Sequence, residues 1–331
     1  MSRRIAVTLV HGVEISDPDF AVKPIERLKR AFARHSGGVD PDEALVVRAT
    51  DWAPVLQPAQ DRLLTQVVGS SGAPYFRWLD YLGAQANGGN SAALALGALT
   101  GMLRWVPGLR GLHWPALRWM TTQYVGDAVA YQISGSDRSV YDGVHAAVAA
   151  TLRDLAAEAG DDAPLCVLAH SLGSVVVSDH FYDLQSEART LVSGPVAAQM
   201  GDSALERGET LALLYTMGSP IALWTLRYPD FGQPIRFPPP RLADHHPGAG
   251  AEWVNFYDPD DVIAYPLRRL SDAYREVVTA DHRVGVGPLW TWGSPLAHPW
   301  YWNDRRVLDP VARSLVRLHR ELNAESPDRV R

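Results

Sequence analysis

The sequence has little cysteine and no excess of basic charge. Its 331 residues include one cysteine, Cys166, so no internal disulfide can form. Because Cys166 lies inside an apolar run, we interpret it as a small buried core residue. A single cysteine also fits a protein from a reducing compartment. The formal net charge of −6 offers no basic surface for nucleic acid. We therefore expect a cytoplasmic protein without a nucleic-acid partner.

Long hydrophobic runs are also missing. The most apolar long segment, residues 94–120, is interrupted by arginines and prolines well before it reaches the length of a membrane span. The amino-terminal run Ile5–Val10 is too short for the apolar region of a signal peptide, and no small-residue cleavage site follows it. The sequence predicts a soluble chain, whose 47% of hydrophobic residues suffice for a sizeable core.

Short apolar runs alternate along the chain with longer segments of helical spacing. Strands are predicted at Ile5–Val10, Ala44–Ala49, Leu165–Ala169, Leu211–Met217, Trp253–Tyr257 and Val277–Val286. Helices are predicted at Val22–His35, Ser139–Ala159, Leu172–Glu187 and Arg305–Leu322. Within the last helix, Asp309-Pro310 predicts an interruption or a start. Continuous apolar strands separated by helices predict an α/β fold, with a mostly parallel sheet covered by helices on both faces.

One segment, residues 52–136, departs from this alternation. It contains five of the eleven tryptophans, frequent glycine and proline, and no convincing strand. We interpret it as a helical insertion into an α/β domain formed by residues 1–51 and 137–331. Two interpretations stay open: a subdomain that packs its own small core, or a cap whose aromatic patches cover a pocket or contact lipid.

The stretch AHSLG, Ala169–Gly173, matches the pattern small-x-Ser-x-Gly between a predicted strand and a predicted helix. In a nucleophile elbow the serine takes a strained turn conformation, and the small residues on either side let strand and helix approach closely. The pattern alone also fits a turn serine or a helix N-cap. The strand-turn-helix context favours a nucleophilic Ser171.

A nucleophilic serine needs a histidine base and an acid that orients it, and both residue types follow later strands. Asp258, Asp260 and Asp261 crowd one turn. We favour Asp261 because it heads the apolar run VIAYPL, where an acid would be buried beside histidine. His298, in a loop after the last strand, is the favoured base. His282 is the alternative, but it falls inside the last predicted strand.

The neighbouring residues Asp244, His245 and His246 raise the question of a metal site. Adjacent histidines point apart on a strand, and no other cluster of ligands supports them. We predict neither a metal nor a cofactor.

In these motifs the chain resembles a lipase-like serine hydrolase of the α/β-hydrolase superfamily. The matching stretches are VTLVHG, LAHSLGS, TMGSPIALW, FYDPDDVIAYPL and AHPWYWND, which cover most of the chain but not the insertion. Ala169 replaces the usual first glycine, and there is no HGGG run. The resemblance implies the α/β-hydrolase fold, with residues 1–51 and 137–331 as the catalytic domain and Ser171, Asp261 and His298 as the catalytic triad.

The resemblance also implies an oxyanion hole built from the backbone N–H groups of Gly12 or Val13 and of Leu172. Gly218, Ser219 and Trp300 are the predicted substrate-binding residues, although a plain turn explains the Gly218-Ser219 pair equally well.

The activity implied is hydrolysis of a carboxylic ester, from a small molecule or a lipid, through an acyl-enzyme. A thioesterase, an amidase and an acyltransferase would use the same residues and stay open. From a different class, an inactive binding or scaffold protein of the same fold also stays open. Under the cap interpretation, we expect any contact with membrane or lipid to be transient and to run through the insertion.

Overall fold

A six-stranded parallel sheet organises the chain. The computed structural model describes residues 3–12, 20–68, 125–287 and 295–324. Its strands are β1 (Ile5–Val10), β2 (Leu45–Thr50), β3 (Leu165–His170), β4 (Leu211–Met217), β5 (Glu252–Tyr257) and β6 (Ala280–Arg283). They lie in the order β2-β1-β3-β4-β5-β6, and every neighbouring pair is parallel. The predicted α/β fold with a parallel sheet is therefore confirmed.

Helices of six residues or more are α1 (Val22–Ser36), α2 (Ala53–Val68), α3 (Ser139–Ala159), α4 (Leu172–Gln185), α5 (Asp272–Val277) and α6 (Arg305–Ala324). Four-residue helices occupy Pro41–Ala44, Asp127–Ala130, Gly194–Ala197, Ile221–Trp224 and Leu242–His245. Short 3₁₀ helices cover Glu187–Arg189, Thr225–Arg227 and Pro229–Phe231, and a longer one covers Pro295–Asn303. Within the described ranges, none of the helices combines the length and apolar character that crossing a membrane requires.

The two faces of the sheet bury separate apolar cores. Because successive side chains of a strand alternate, Val167 and Ala169 of β3 enter one core, whereas Cys166 and Leu168 enter the other. Helices α3 and α4 cover the first face, and α1 and α6 cover the second. Both sides of the central strands are thus shielded from water, which explains why these strands are apolar without interruption.

Two element predictions were wrong in detail. The last strand is only Ala280–Arg283 rather than Val277–Val286, because Val277 ends helix α5 and the chain beyond the strand turns toward the loop after β5. Helix α6 runs through Pro310 without a break, so Asp309-Pro310 is neither its start nor an interruption. Instead, Asp304 caps this helix by accepting a hydrogen bond from the Arg306 backbone N–H at 2.8 Å.

The segment 52–136 is only partly described. Its described elements are helical: α2 and the four-residue helix Asp127–Ala130. Residues 69–124, which include most of its tryptophans, lie outside the described residues, and the cap interpretation stays a prediction. At the start of the segment, Trp52 and Leu56 are buried in the same core as α3 and α4.

Candidate active site

Ser171 occupies a strained turn between β3 and α4. Its backbone angles are φ 54° and ψ −133°, a region that side-chain-bearing residues rarely enter. The turn is fixed from two sides: the Ser171 N–H donates to the Met217 carbonyl of β4 at 2.9 Å, and the Ser174 hydroxyl donates to the Ser171 carbonyl at 2.6 Å. Strand β4 and helix α4 therefore hold the conformation that a nucleophile elbow requires.

Two glycines allow the backbone to close around this turn. A Cβ atom on Gly12 would lie 2.4 Å from Ser171 Cβ, and one on Gly173 would lie 2.2 Å from the His11 carbonyl oxygen. Both distances are far below normal contact, so no larger residue fits at either position. The turn after β1, the Ser171 turn and the first turn of α4 are therefore in direct contact.

His298 and Asp261 lie in line with Ser171. His298 Nε2 is 2.8 Å from Ser171 Oγ, and His298 Nδ1 is 2.7 Å from Asp261 Oδ2. All three side chains belong to nearly buried residues, with exposed fractions of 2% for Ser171, 6% for His298 and 3% for Asp261. The structure thus brings together the three residues that the sequence selected.

The environment of Asp261 favours its ionised form. Burial raises the pKa of the carboxyl group, but the charge of His298 and its hydrogen bond outweigh that effect and lower the pKa below its ordinary value. Two more donors assist, the backbone N–H of Ile263 at 3.2 Å and the hydroxyl of Tyr301 at 3.0 Å. A carboxylate so placed accepts the Nδ1–H of His298 and leaves Nε2 facing Ser171.

The rival acids and the rival base have different surroundings. Asp258 is buried, but its carboxylate accepts the backbone N–H groups of Asp260 at 3.0 Å and Val286 at 2.8 Å, which shapes the loop around Asp261. Asp260 is exposed.

The rival base, His282, is exposed on the edge strand β6, where the centroid of its ring lies 5.3 Å from that of Phe256. The structure does not bring any of the three to Ser171 Oγ.

Sequence reasoning missed two residues that hold the base and the acid. His170 Nε2 lies 3.0 Å from the carbonyl oxygen of His298. Burial, together with the charge of His298, lowers the pKa of His170 to about 3, so a neutral imidazole donates this hydrogen bond. Tyr301 donates to Asp261 and accepts the Asp258 backbone N–H at 2.8 Å. Their positions were the available signals, one residue before Ser171 and three residues after His298.

Two of the three predicted oxyanion donors, Gly12 and Leu172, lie at the same turn. Leu172 is the first residue of α4, and the first N–H groups of a helix find no acceptor within it. Gly12 directly faces Ser171, as described above, and Val13 lies outside the described residues. The turn after β1 is held by Trp52, whose indole stacks on the His11 ring at 4.8 Å and donates from Nε1 to the His11 carbonyl at 3.1 Å.

The three predicted substrate-binding residues differ in their contacts. Gly218 has φ 57°, and a Cβ there would lie 2.8 Å from the Tyr301 ring and 3.1 Å from the His298 ring. Ser219 is fully buried, with its hydroxyl 2.7 Å from that of Ser174. Trp300 is half-buried in the 3₁₀ helix that carries His298. Gly218 thus contacts the base, while direct contact of these residues with a substrate stays a prediction.

The histidine pair considered for a metal is divided between two partners. His245 Nε2 lies 3.0 Å from Glu209 Oε2, whereas His246 Nε2 lies 2.6 Å from the Asp162 carbonyl oxygen. Among the residues that the structure describes, no group of three or more potential ligands is placed to hold a metal ion.

Comparisons of the chain with protein families, with curated proteins and with solved structures find no match. What the site can do therefore follows from its geometry. A hydroxyl, an imidazole and a carboxylate in one hydrogen-bonded line can transfer the Ser171 proton to His298, while Asp261 stabilises the imidazolium that forms.

Proposed function

We propose that the protein is a serine hydrolase of the α/β-hydrolase superfamily that cleaves a carboxylic ester through an acyl-enzyme. The observation that carries this proposal is the buried line from Ser171 Oγ through His298 to Asp261, with separations of 2.8 and 2.7 Å. Its supports are the strained backbone of Ser171 and the ionised state of Asp261, which a purely structural serine turn does not need.

Acylation starts with attack of Ser171 Oγ on the ester carbonyl carbon. The hydroxyl proton passes to His298 Nε2, and Asp261 pairs with the imidazolium through Nδ1. Negative charge collects on the carbonyl oxygen, where the N–H of Leu172 and an N–H from the turn after β1 stabilise it. When the carbon–oxygen bond of the ester breaks, His298 returns the proton to the departing alkoxide.

Deacylation repeats these steps with water as the nucleophile. His298 removes a proton from water, the resulting oxygen attacks the acyl carbon, and the proton returns to Ser171 Oγ as the acid leaves. His170 and Tyr301 act as positioning residues, because they fix the backbone of His298 and the carboxylate of Asp261 through both half-reactions.

The position of the site in the sheet supports the proposal that the protein is an enzyme. The strand order reverses between β1 and β3, and ligands of open α/β sheets bind beyond the carboxyl ends of strands at such a switch point. Gly12 follows β1 and Ser171 follows β3.

Ester hydrolysis by purified variants tests the proposal. His298→Ala should lower kcat for a p-nitrophenyl ester by a factor on the order of 10⁴ or more, because Ser171 then lacks its base. His282→Ala is the matched control and should retain nearly full activity, since that histidine is exposed on an edge strand. Equal effects of the two substitutions, with both variants folded, would contradict the assignment of His298 as the base.

A further inference from the structure

A cavity lies beside α4. It has a volume of about 290 Å³, and none of the triad residues lines it. One stripe of α4, consisting of Val175, Ser178, Asp179 and Tyr182, forms its floor. Asp179 follows Ser171 by eight residues of helix, which places it about 12 Å further along the axis.

The cavity is aromatic. Its walls include Tyr182 from α4, Tyr274 from α5, and Trp224, Tyr228 and Phe231 from the segment after β4. The buried indole Nε1 of Trp224 has no hydrogen-bond partner among the residues that the structure describes. This wall therefore offers aromatic ring faces together with the hydroxyl groups of its three tyrosines.

Among the described residues that line the cavity, Asp179 is the only charged one. Its Oδ2 accepts the Tyr131 hydroxyl at 3.1 Å and lies 3.9 Å from a guanidinium nitrogen of Arg227. Within the described ranges, its Oδ1 receives no hydrogen bond, and the side chain is 22% exposed. Burial raises the pKa of Asp179 to about 7, although the charge of Arg227 and the hydrogen bond from Tyr131 act to lower it.

The chain itself places a cation against two of these rings. The Arg227 guanidinium lies 5.6 Å from the centroid of Trp224 and 4.9 Å from that of Tyr228, within the range of cation–π attraction. Arg227 is not among the lining residues, and in the described part of the chain no other basic residue lines the cavity. The charged group within the described lining is thus a carboxylate, one oxygen of which lies near Arg227.

We propose that this cavity binds an organic cation, with an ammonium group beside Asp179 Oδ1 and an apolar body against Trp224 and Tyr228. The arrangement provides a carboxylate for the charge, aromatic rings to pack against the apolar body and enough volume for a small aromatic amine. The site does not depend on the proposed hydrolase activity, because the triad contributes nothing to it.

Calorimetric titration with benzylammonium, and with benzyl alcohol as a neutral probe of similar size, tests the proposal. At about pH 8, above the pKa of Asp179, the wild-type protein should bind benzylammonium at least tenfold more tightly than benzyl alcohol. Asp179→Asn should remove at least tenfold of that affinity and leave the weak affinity for benzyl alcohol unchanged.

Control variants separate this site from its surroundings. Asp183→Asn removes another buried carboxylate of α4, one that does not line the cavity. Ser171→Ala removes the candidate nucleophile. Both variants should bind benzylammonium with wild-type affinity. Tyr228 is exposed, so Tyr228→Leu should not disturb folding. This variant should weaken binding about threefold, because the contact between the Tyr228 ring and the benzyl ring is lost. The proposal would be overturned if the wild-type protein did not bind benzylammonium, or if it bound benzyl alcohol as tightly as benzylammonium. It would also be overturned if Asp179→Asn and Tyr228→Leu both bound benzylammonium with wild-type affinity.

Discussion

At the residue scale, the candidate site holds individual groups in states that they would not adopt alone. Ser171 keeps a positive φ without being glycine, and Asp261 stays ionised although it is buried. Each state depends on identifiable partners: the carbonyl of Met217 for the serine turn, and the imidazole of His298 for the carboxylate. Asp258 and Asp261, two candidates for the acid of which the sequence favoured Asp261, lie in one turn but have different partners.

The two aspartates should respond differently to removal of their charge. Asp261→Asn should lower kcat by about 10⁴-fold, because an amide cannot hold the productive tautomer of His298 or stabilise its protonated form. Asp258→Asn should keep kcat within about tenfold but destabilise the fold by about 1–3 kcal/mol, because one of the two backbone N–H groups that it accepts loses its partner. Kinetics and thermal unfolding of both variants check this, and a larger kcat loss in Asp258→Asn would reverse the assignment of the acid.

Asp179 should make stability depend on pH. An unfolded aspartate has a pKa of about 3.9, whereas burial raises the folded pKa to about 7. Between these values the folded chain keeps a proton that the unfolded chain releases, so this group makes the free energy of unfolding fall as pH rises from about 4 to 7.

Asparagine at this position does not titrate. The free energy of unfolding should therefore fall less between about pH 5 and pH 8 in Asp179→Asn than in the wild-type protein. The difference between these two changes should be on the order of 2 kcal/mol. Urea unfolding at both pH values measures the difference. A difference between the two proteins that does not change with pH would show that Asp179 is ionised as readily in the folded chain as in the unfolded one.

At the element scale, β3 and α4 were predictable because local sequence determines them. A continuous apolar run, a tight turn with small residues and a second apolar run leave little choice of structure between Leu165 and Gln185. The 3₁₀ helix Pro295–Asn303, predicted as a loop, and the shortened strand β6 were not predictable in this way. Both elements depend on contacts between residues far apart in the sequence. The Val286 backbone N–H, just beyond β6, donates to Asp258, and Tyr301 of the 3₁₀ helix donates to Asp261.

The close contact between α4 and β1 gives a prediction about the elbow as a unit. In Gly173→Ala, the new Cβ would meet backbone oxygens at 2.2 Å from His11 and 2.7 Å from Val10, which side-chain movement cannot relieve. We expect a loss of about 1–3 kcal/mol in stability and a lower kcat, because α4 must shift and carry Ser171 with it. Gly194→Ala is the control, since no atom lies within 4 Å of its Cβ position. Similar stability and kcat for the two variants would contradict this close packing.

At the scale of the whole molecule, the parallel sheet assembles the site. Residues that follow β1, β3, β4 and β5 meet at one edge because the carboxyl ends of parallel strands point the same way. For this reason the sequence could predict which residues form the candidate site without knowing the strand order. It could not predict the aromatic cavity beside α4, because that site depends on how the segment after β4 and helix α5 fold over one stripe of α4.

Covalent labelling with a fluorophosphonate probe, followed by mass spectrometry of the digested protein, tests the central claim most directly. The fluorophosphonate group reacts with a serine whose hydroxyl is activated by a base and loses fluoride in the reaction. One adduct should therefore form, on Ser171. The adduct should be lost in Ser171→Ala and strongly slowed in His298→Ala, while His282→Ala reacts like the wild type. Absence of the adduct from folded wild-type protein, or an adduct on another serine, would contradict the assignment of Ser171 as the nucleophile.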